Sequence, residues 1–576
     1  MEHVAVGTND QAPFTLTVRR GEGMALLSMN WRTGPPPDDF VGFSISYATP
    51  DDPQTFRYVS NRLTFRPEDS GNAVVRRSLN SPIQMFRWVS FPPFPRVRGE
   101  YSFRVEPAFL DDQDRLTHGE AQQASMELGG FTRPGELDVA FTRGFVSSQA
   151  FVNRYGLADG AEMATLIPGV GADPLTFVPT YAEAEDALTW MGFQARDRIF
   201  RLLDQAIADP TAQVRVVAYD LNLREMVDRL AQLGDRLRII IDDSVNQDGR
   251  GHGDDDSPET VAAERLAQTA GADQVARQHV GDLQHNKFIA VGGQVQRVLC
   301  GSTNFSWRGL YVQNNHVVQL LGEEAVGLFT QAFDAYWDHG TDASDFAATD
   351  LSAPHTLTWP SATARVTFSP HTTQNAMLTA IADDIKAPGV HSVLYSLAFL
   401  SQTGGAVRDA IKQVTEDPAV FVYGIADKEV GGIDVRGPDG NLQPVFPASL
   451  SGNVPEPFSS EPSGGGGIRM HHKFVVLNLG EPDARVWLGS YNFSRSADRQ
   501  NGENLLLISD PAVTTSFAIE ALRIFDHCSF RVKQQDAEAE PDRLLLAKPP
   551  RAAGDTAWWL KYYDGGPRER DRLLFA

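Results

Sequence analysis

The residues best equipped for chemistry come in two matching sets. One is His285-Asn286-Lys287-Phe288, followed by Gly301-Ser302-Thr303-Asn304-Phe305-Ser306. The other is His471-His472-Lys473-Phe474, followed by Gly489-Ser490-Tyr491-Asn492-Phe493-Ser494. An imidazole with an ordinary pKa near ~6.5 can attack as a nucleophile or pass a proton at neutral pH. A lysine ammonium and an asparagine amide offer positive charge and N–H donors to an anionic group. Side chains on a strand alternate with period two, so a His and a Lys two apart share one face and the residue between them points away. Gly-Ser-x-Asn then brings small polar groups and close backbone beside that face. A single His-x-Lys is ordinary for any strand. Two, each followed by Gly-Ser-x-Asn-Phe-Ser, argue for one centre made of two half-sites.

The elements around these sets also repeat. In the first copy a helix over Ile199–Ala208 leads to a strand over Val214–Tyr219. A helix with Leu223, Met226, Val227, Leu230 and Leu233 at three- and four-residue spacing follows, then a strand over Leu237–Ile241. A polar loop runs to the strand His285–Val291, and a last strand opens at Val298 and ends in the Gly-Ser motif. The second copy keeps the order: helix Ala376–Ile385, strand Val393–Leu397, helix Ala406–Val414, strand Val420–Ile425, a Gly/Pro loop, strand His471–Leu477 and a strand opening at Val486. The closing segments agree as well, Ala335–His339 against Arg523–His527. Such duplication predicts two similar α/β lobes related by a pseudo-two-fold.

His-x-Lys followed by Gly-Ser-x-Asn, twice in one chain, resembles the HKD signature of the phospholipase D superfamily. The resemblance covers about residues 190–535. The chain departs from the family's pattern at the Asp five residues after each Lys, where Gly292 and Asn478 stand. The step from Lys to Gly-Ser is also longer than usual, 14 residues from Lys287 to Gly301 and 16 from Lys473 to Gly489. The Asp is mainly structural in the family, so these changes bear on hairpin geometry. Gln500-Asn501-Gly502-Glu503 matches the family's distal acidic position, and alignment on the Gln-Asn pair puts His316 of the first copy opposite Glu503.

The resemblance implies a phosphodiesterase working through a phosphohistidine. His285 takes the nucleophile role and His471 that of general acid, then base. Lys287, Lys473, Asn304 and Asn492 hold the non-bridging oxygens, Ser302 and Ser490 brace the site, and Glu503 orients one imidazole. The scheme needs no metal and no cofactor. The acidic loop Asp242–Asp256 invites a calcium reading, but Ser244 stands where an EF-hand loop needs Asp, so it reads as a solvated loop. His252, His279 and His339 lack ligand spacing and read as surface or packing residues. The loops 242–281 and 427–470 lead into the catalytic strands and should choose the substrate. Val445, Phe446, Leu450 and Phe458 in the second suit acyl chains or a lid, and equally an irregular loop tucking its apolar residues inward.

A phospholipid or other phosphodiester is the expected substrate, with head groups hydrolysed or transferred and transient contact with a membrane surface. A metal-independent nuclease is the alternative. Lys+Arg 51 against Asp+Glu 74 gives −23, which disfavours nucleic acid as partner because polyanion binders carry basic faces. A non-catalytic binding protein fits two intact His/Lys/Asn sets poorly. The two cysteines build no disulfide framework, and Cys300 in an apolar run reads as a core residue. With neither a secretory signal nor a long apolar run, the expected site is cytoplasmic, as a monomer.

Residues 1–130 alternate apolar and polar at Phe43–Tyr47 and Tyr101–Val105, separated by Pro- and Gly-rich turns. This predicts an all-β accessory sandwich resembling a fibronectin type III module. The expected plan is then 131–189 as linker and entry to the core, 190–345 as the first lobe, 346–535 as the second, and 536–576 as a tail. Asp536–Asp542 would be solvated, and Trp558, Trp559, Tyr562 and Tyr563 would dock on the core.

Overall fold

The computed structural model describes all residues except 1–2, 66–75, 92–97, 145–147, 158–159, 170, 246–250, 401–403, 427–469 and 540–544. The chain forms two compact units, one built chiefly of Met1–Gly130 with Thr515–Ala576, the other of Phe131–Asp434 with Phe446–Thr514. The substrate-contacting role suggested for Val445, Phe446, Leu450 and Phe458 lies outside the described residues.

In the first unit the described residues up to Gly130 form strands. Phe14–Arg20 pairs with Val4–Val6 and with Ala25–Trp31, which pairs with Arg87–Ser90. A second sheet is built on Phe40–Thr49 and Gly99–Leu110. Phe14–Arg20 alternates buried and half-buried residues, and its inward set joins one apolar cluster with Phe43, Ile45, Phe103 and Val105 of the second sheet. The tail joins the same cluster through Trp558, Trp559 and Tyr562, with Trp558 donating to the Phe40 carbonyl at 3.0 Å. Its aromatic residues thus belong to the strand-rich unit. The segment expected as a solvated linker begins inside a helix, Pro511–Ala539.

The second unit holds two seven-stranded mixed sheets. The order in the first is Leu137–Phe141, His316–Leu321, Arg297–Gly301, Lys287–Gly292, Gln213–Ala218, Leu237–Ile241, Val275–Arg277. In the second it is His355–Thr358, Thr363–Ser369, Glu503–Ser509, Arg485–Gly489, Lys473–Leu477, Ser392–Leu397, Phe421–Ala426. Six strands correspond one for one, and each sheet adds one edge strand at the opposite side. In both, one parallel pair adjoins the antiparallel His–Lys strand. Residues 137–141, in the segment expected as linker and entry to the core, are a strand of the first sheet, and the helix expected from Ile199 follows a break at Phe193 (φ 47°) inside the helical segment Ala184–Ala208.

Gly301 and Gly489 explain the glycine of each Gly-Ser motif. Their φ values are 136° and 144°, and a Cβ would come within 2.5 Å of the His316 carbonyl and 2.3 Å of the Asn504 carbonyl. Only glycine lets the motif strand approach its neighbour so closely. Asn478, in place of the family's Asp, stands in a turn at φ 54°, donating to Asp483 and accepting from the His391 amide. Cys300 is buried as expected.

Candidate active site

His285 and His471 lie just before the strands that begin at Lys287 and Lys473, rather than on them. Each is anchored by the opposite lobe. The Nδ1 of His285 meets both carboxylate oxygens of Glu503, at 2.9 and 2.8 Å. The Nδ1 of His471 meets the side-chain oxygen of Asn315 at 2.8 Å and the Ser302 carbonyl at 3.2 Å. All four partners are acceptors, so Nδ1 carries the proton on each ring and the lone pair sits on Nε2. The Asn315 amide is itself fixed, because its nitrogen donates to the Gly309 carbonyl at 2.9 Å.

This geometry corrects the alignment of the distal position. Asn315, not His316, is the counterpart of Glu503. The Ser302 amide donates to the His316 carbonyl as the Ser490 amide donates to that of Asn504, which fixes the register. Counting from each motif glycine would have found it, since Gly301 to Asn315 and Gly489 to Glu503 are both 14 residues. His316 instead stacks on His472, with ring centroids 5.5 Å apart and nitrogens at 3.2 Å. At the matching positions of the other half, Asn504 donates to Asn286 at 3.0 Å. The residue between His and Lys thus points away from the site in both copies and joins the lobes behind it.

Ser302 donates to Asn315 at 2.8 Å, and the Ser490 hydroxyl helps hold the Glu503 carboxylate. The ammonium of Lys473 reaches the His471 Nε2 at 3.0 Å and its carbonyl at 2.9 Å, while Lys287 donates to the His285 carbonyl. Lys287 also lies over the Tyr219 ring at 4.7 Å and Lys473 over Phe399 at 5.5 Å. Asn304 gives one amide proton to Asp220 at 2.6 Å, and the buried side-chain oxygens of Asn304 and Asn492 have no hydrogen-bond partner among the described residues.

The side chains of the site are buried, and its electrostatics follow from that. Burial, then the charges of Lys287 and Lys473, hold the His285 imidazole well below its ordinary value. Burial, then Lys473 and Lys287, do the same to His471. Burial pulls Lys287 down to about 7 against the pull of Glu503, and pushes the Glu503 carboxyl up to about 8 against that of Lys287. Burial and the lysine charges thus favour the neutral form of both imidazoles.

Two further expectations need correction. The acidic segment does not begin in solvent: Asp242 is fully buried and accepts the Gln284 amide, next to His285, at 2.6 Å. His252 is no packing residue, for both ring nitrogens face carboxylates beside the site. Among the described residues, Asp220, His252 and Glu259 are the group whose ligand atoms lie close enough for a metal. His279 is a half-exposed partner of Asp243.

Two sheets of matching strand order bring the two His/Lys sets together, with each imidazole held by a residue of the other lobe. The profile of the family described as cardiolipin synthase, PLD-like domain, matches residues 203–337 and 434–527. Those segments carry a phospholipase D-like domain. Solved structures similar to the chain include phosphatidylserine synthase from Haemophilus influenzae Rd KW20, at 13% identity and TM-score 0.41 over 62% of this chain and 94% of that one. Polyphosphate kinase from Porphyromonas gingivalis matches at 11% identity and TM-score 0.35, over 59% and 45%. Nuc, a phospholipase D family member from Salmonella typhimurium, matches at 17% identity and TM-score 0.20, over 24% and 88%. No curated protein sequence matches the chain. No helix of the described residues is long and apolar enough to cross a membrane.

Proposed function

We propose that the chain is a phosphodiesterase of the phospholipase D type, acting on phospholipid head groups through a phosphohistidine. The carrying observation is the unequal anchoring of the two imidazoles. His285 attacks phosphorus through Nε2, and the bond to the leaving oxygen breaks as His471 gives that oxygen a proton. Water or an alcohol then attacks the phosphohistidine, passes its proton to His471, and frees His285. The ring that bonds phosphorus becomes cationic, and the Glu503 carboxylate on its Nδ1 favours that charge. The neutral Asn315 gives no such support to protonated His471, which keeps it the readier acid.

The arriving phosphodiester anion offsets the lysine charges that hold His471 neutral, so the protonated acid is favoured once substrate is bound. Lys287, Lys473, Asn304 and Asn492 are assigned to the non-bridging oxygens. The two lobes are read as halves related by a pseudo-two-fold, since the cross-lobe contacts come in matching pairs.

Phospholipid is preferred to nucleic acid because the chain carries a charge of −23. Transfer to an alcohol stands beside hydrolysis because the matched family is described as a synthase. The test is a panel of phosphatidylcholine, phosphatidylethanolamine, phosphatidylglycerol, single-stranded DNA and plasmid, in EDTA, with and without added glycerol. Phosphatidate or a phosphatidyl-glycerol exchange product is expected. Nucleotide fragments without lipid turnover would replace this reading with that of a nuclease.

A further inference from the structure

His252 occupies a place that neither motif explains. Its Nδ1 lies 2.8 Å from an oxygen of Asp242 and its Nε2 3.1 Å from an oxygen of Asp220. Carboxylates only accept hydrogen bonds while ionised, and a neutral imidazole has one N–H, so its lone pair would face an anion. An imidazolium satisfies both. Asp220 and Asp242 follow the neighbouring parallel strands Gln213–Ala218 and Leu237–Ile241, so the ring ties two strand ends together.

What each carboxylate does with its other oxygen gives the ring its importance. Asp220 takes the Asn304 amide at 2.6 Å and the Ser306 hydroxyl at 3.4 Å. Asp242 takes the Gln284 backbone amide at 2.6 Å. One contact sets the Asn that would hold phosphate oxygen, and the other sets the residue before His285. Between the imidazoles stands Tyr219, edge-on to both, at 4.5 Å from His252 and 4.7 Å from His285. In the second half-site the residue in register with Asp220 is Phe399, which has no carboxylate to offer. Among the described residues the device is found in the first half.

We propose that His252 is a positioning residue of the first half-site: a doubly protonated imidazole that joins Asp220 to Asp242 and so holds Asn304 and the Gln284–His285 backbone in register. The groups facing it fit this. Burial alone would lower the ring, but its hydrogen bonds to Asp220 and Asp242 bring it up to about 10. Burial would raise Asp220, and His252 holds it below the ordinary carboxylate range. Burial pushes Glu259, on the helix Pro258–Ala270, upward. Arg277, on the edge strand Val275–Arg277, donates to the His252 and Asp242 carbonyls. Lys287 and His285 lie beyond Tyr219. A divalent cation held by Asp220, Glu259 and Nε2 of His252 is the competing reading, and it differs in leaving that nitrogen without a proton.

The effect on turnover rests on the proposed phosphodiester reaction, whereas the protonation state does not. Nitrogen NMR of the full chain labelled with ¹⁵N-histidine, at pH 8, should show one imidazole with both nitrogens protonated, and that signal should vanish in His252→Gln. The same variant should weaken binding of inorganic phosphate. It should lower kcat by ~10²-fold, the loss expected from a displacement of about 1 Å. His252→Arg, which can donate to both carboxylates, should restore part of kcat, as a packing role would not allow. A neutral His252 at pH 8 overturns the proposal whether or not the protein turns over lipid. So does a His252→Gln protein with unchanged phosphate affinity, and so does a wild type whose melting temperature Zn²⁺ raises while deprotonating the ring. A wild type inert on every phosphodiester overturns the reaction but leaves the NMR and phosphate results to decide the role of His252.

Discussion

Replacing Glu503 by Gln tests the division of labour between the histidines. The side chain is fully buried and accepts the His285 N–H through both oxygens at 2.8–2.9 Å. Gln keeps size and one acceptor, so the main loss is charge. In the ground state the partner is a neutral imidazole; in the phosphohistidine it is a cation. A unit pair about 4 Å apart in an effective dielectric near ~20 is worth roughly 4 kcal/mol. A charge-assisted hydrogen bond contributes ~1.5–3 kcal/mol by mutation. Taking ~3–4 kcal/mol as the transition-state share, at ~1.4 kcal/mol per decade, kcat/KM should fall by ~10²–10³-fold. The melting temperature should hold or rise, since a charge without water is removed from a site that sacrifices stability for function. Stopped-flow or continuous release of head group, with calorimetry on the same samples, measures both. A Glu503→Gln enzyme within about threefold of wild type would refute the assignment of His285 as nucleophile supported by a carboxylate.

Asn315→Ala removes a neutral hydrogen bond worth ~0.5–1.5 kcal/mol, so kcat/KM should drop only ~2–10-fold, and a loss matching that of Glu503→Gln would mean the roles are reversed. The profile of kcat/KM against pH should be a narrow bell between about 7 and 8. Glu503 must lose its proton, so activity rises with pH up to about 8, while Lys287 must keep its own and His471 must take one up against its lowered value, so activity falls as pH passes about 7; the apparent values belong to the coupled groups. In Glu503→Gln the acid limb attributed to the carboxyl should disappear. Lys473→Ala should cost ~10²–10³-fold in kcat, as for loss of one oxyanion donor, with little change in fold by circular dichroism. Turnover should survive excess EDTA; loss restored by Mg²⁺ without a change in melting temperature would defeat the metal-free scheme.

How far the sequence reaches depends on the range of the interaction. Strand over Leu237–Ile241 and helix from Ala406 are written in local hydrophobic period, and both form where that period places them. The two His-x-Lys and Gly-Ser-x-Asn sets are local too, and the phospholipase D-like domain could be recognised from them. The strand Leu137–Phe141 was not legible, because five residues interrupted by Asp138 become an edge strand only when His316–Leu321, far along the chain, offers its backbone. The partner of each imidazole was also a tertiary decision. Glu503 reaches a histidine 218 positions away and Asn315 one 156 away, so sequence neighbours such as Gln313-Asn314 could not reveal which side chain meets which ring. The same holds for His252, whose spacing to Asp220 and Asp242 has no meaning along the chain. Only the parallel pairing of two strands brings those carboxylates to one side, where burial strips their water and makes a protonated imidazole the favourable way to fill the gap between them.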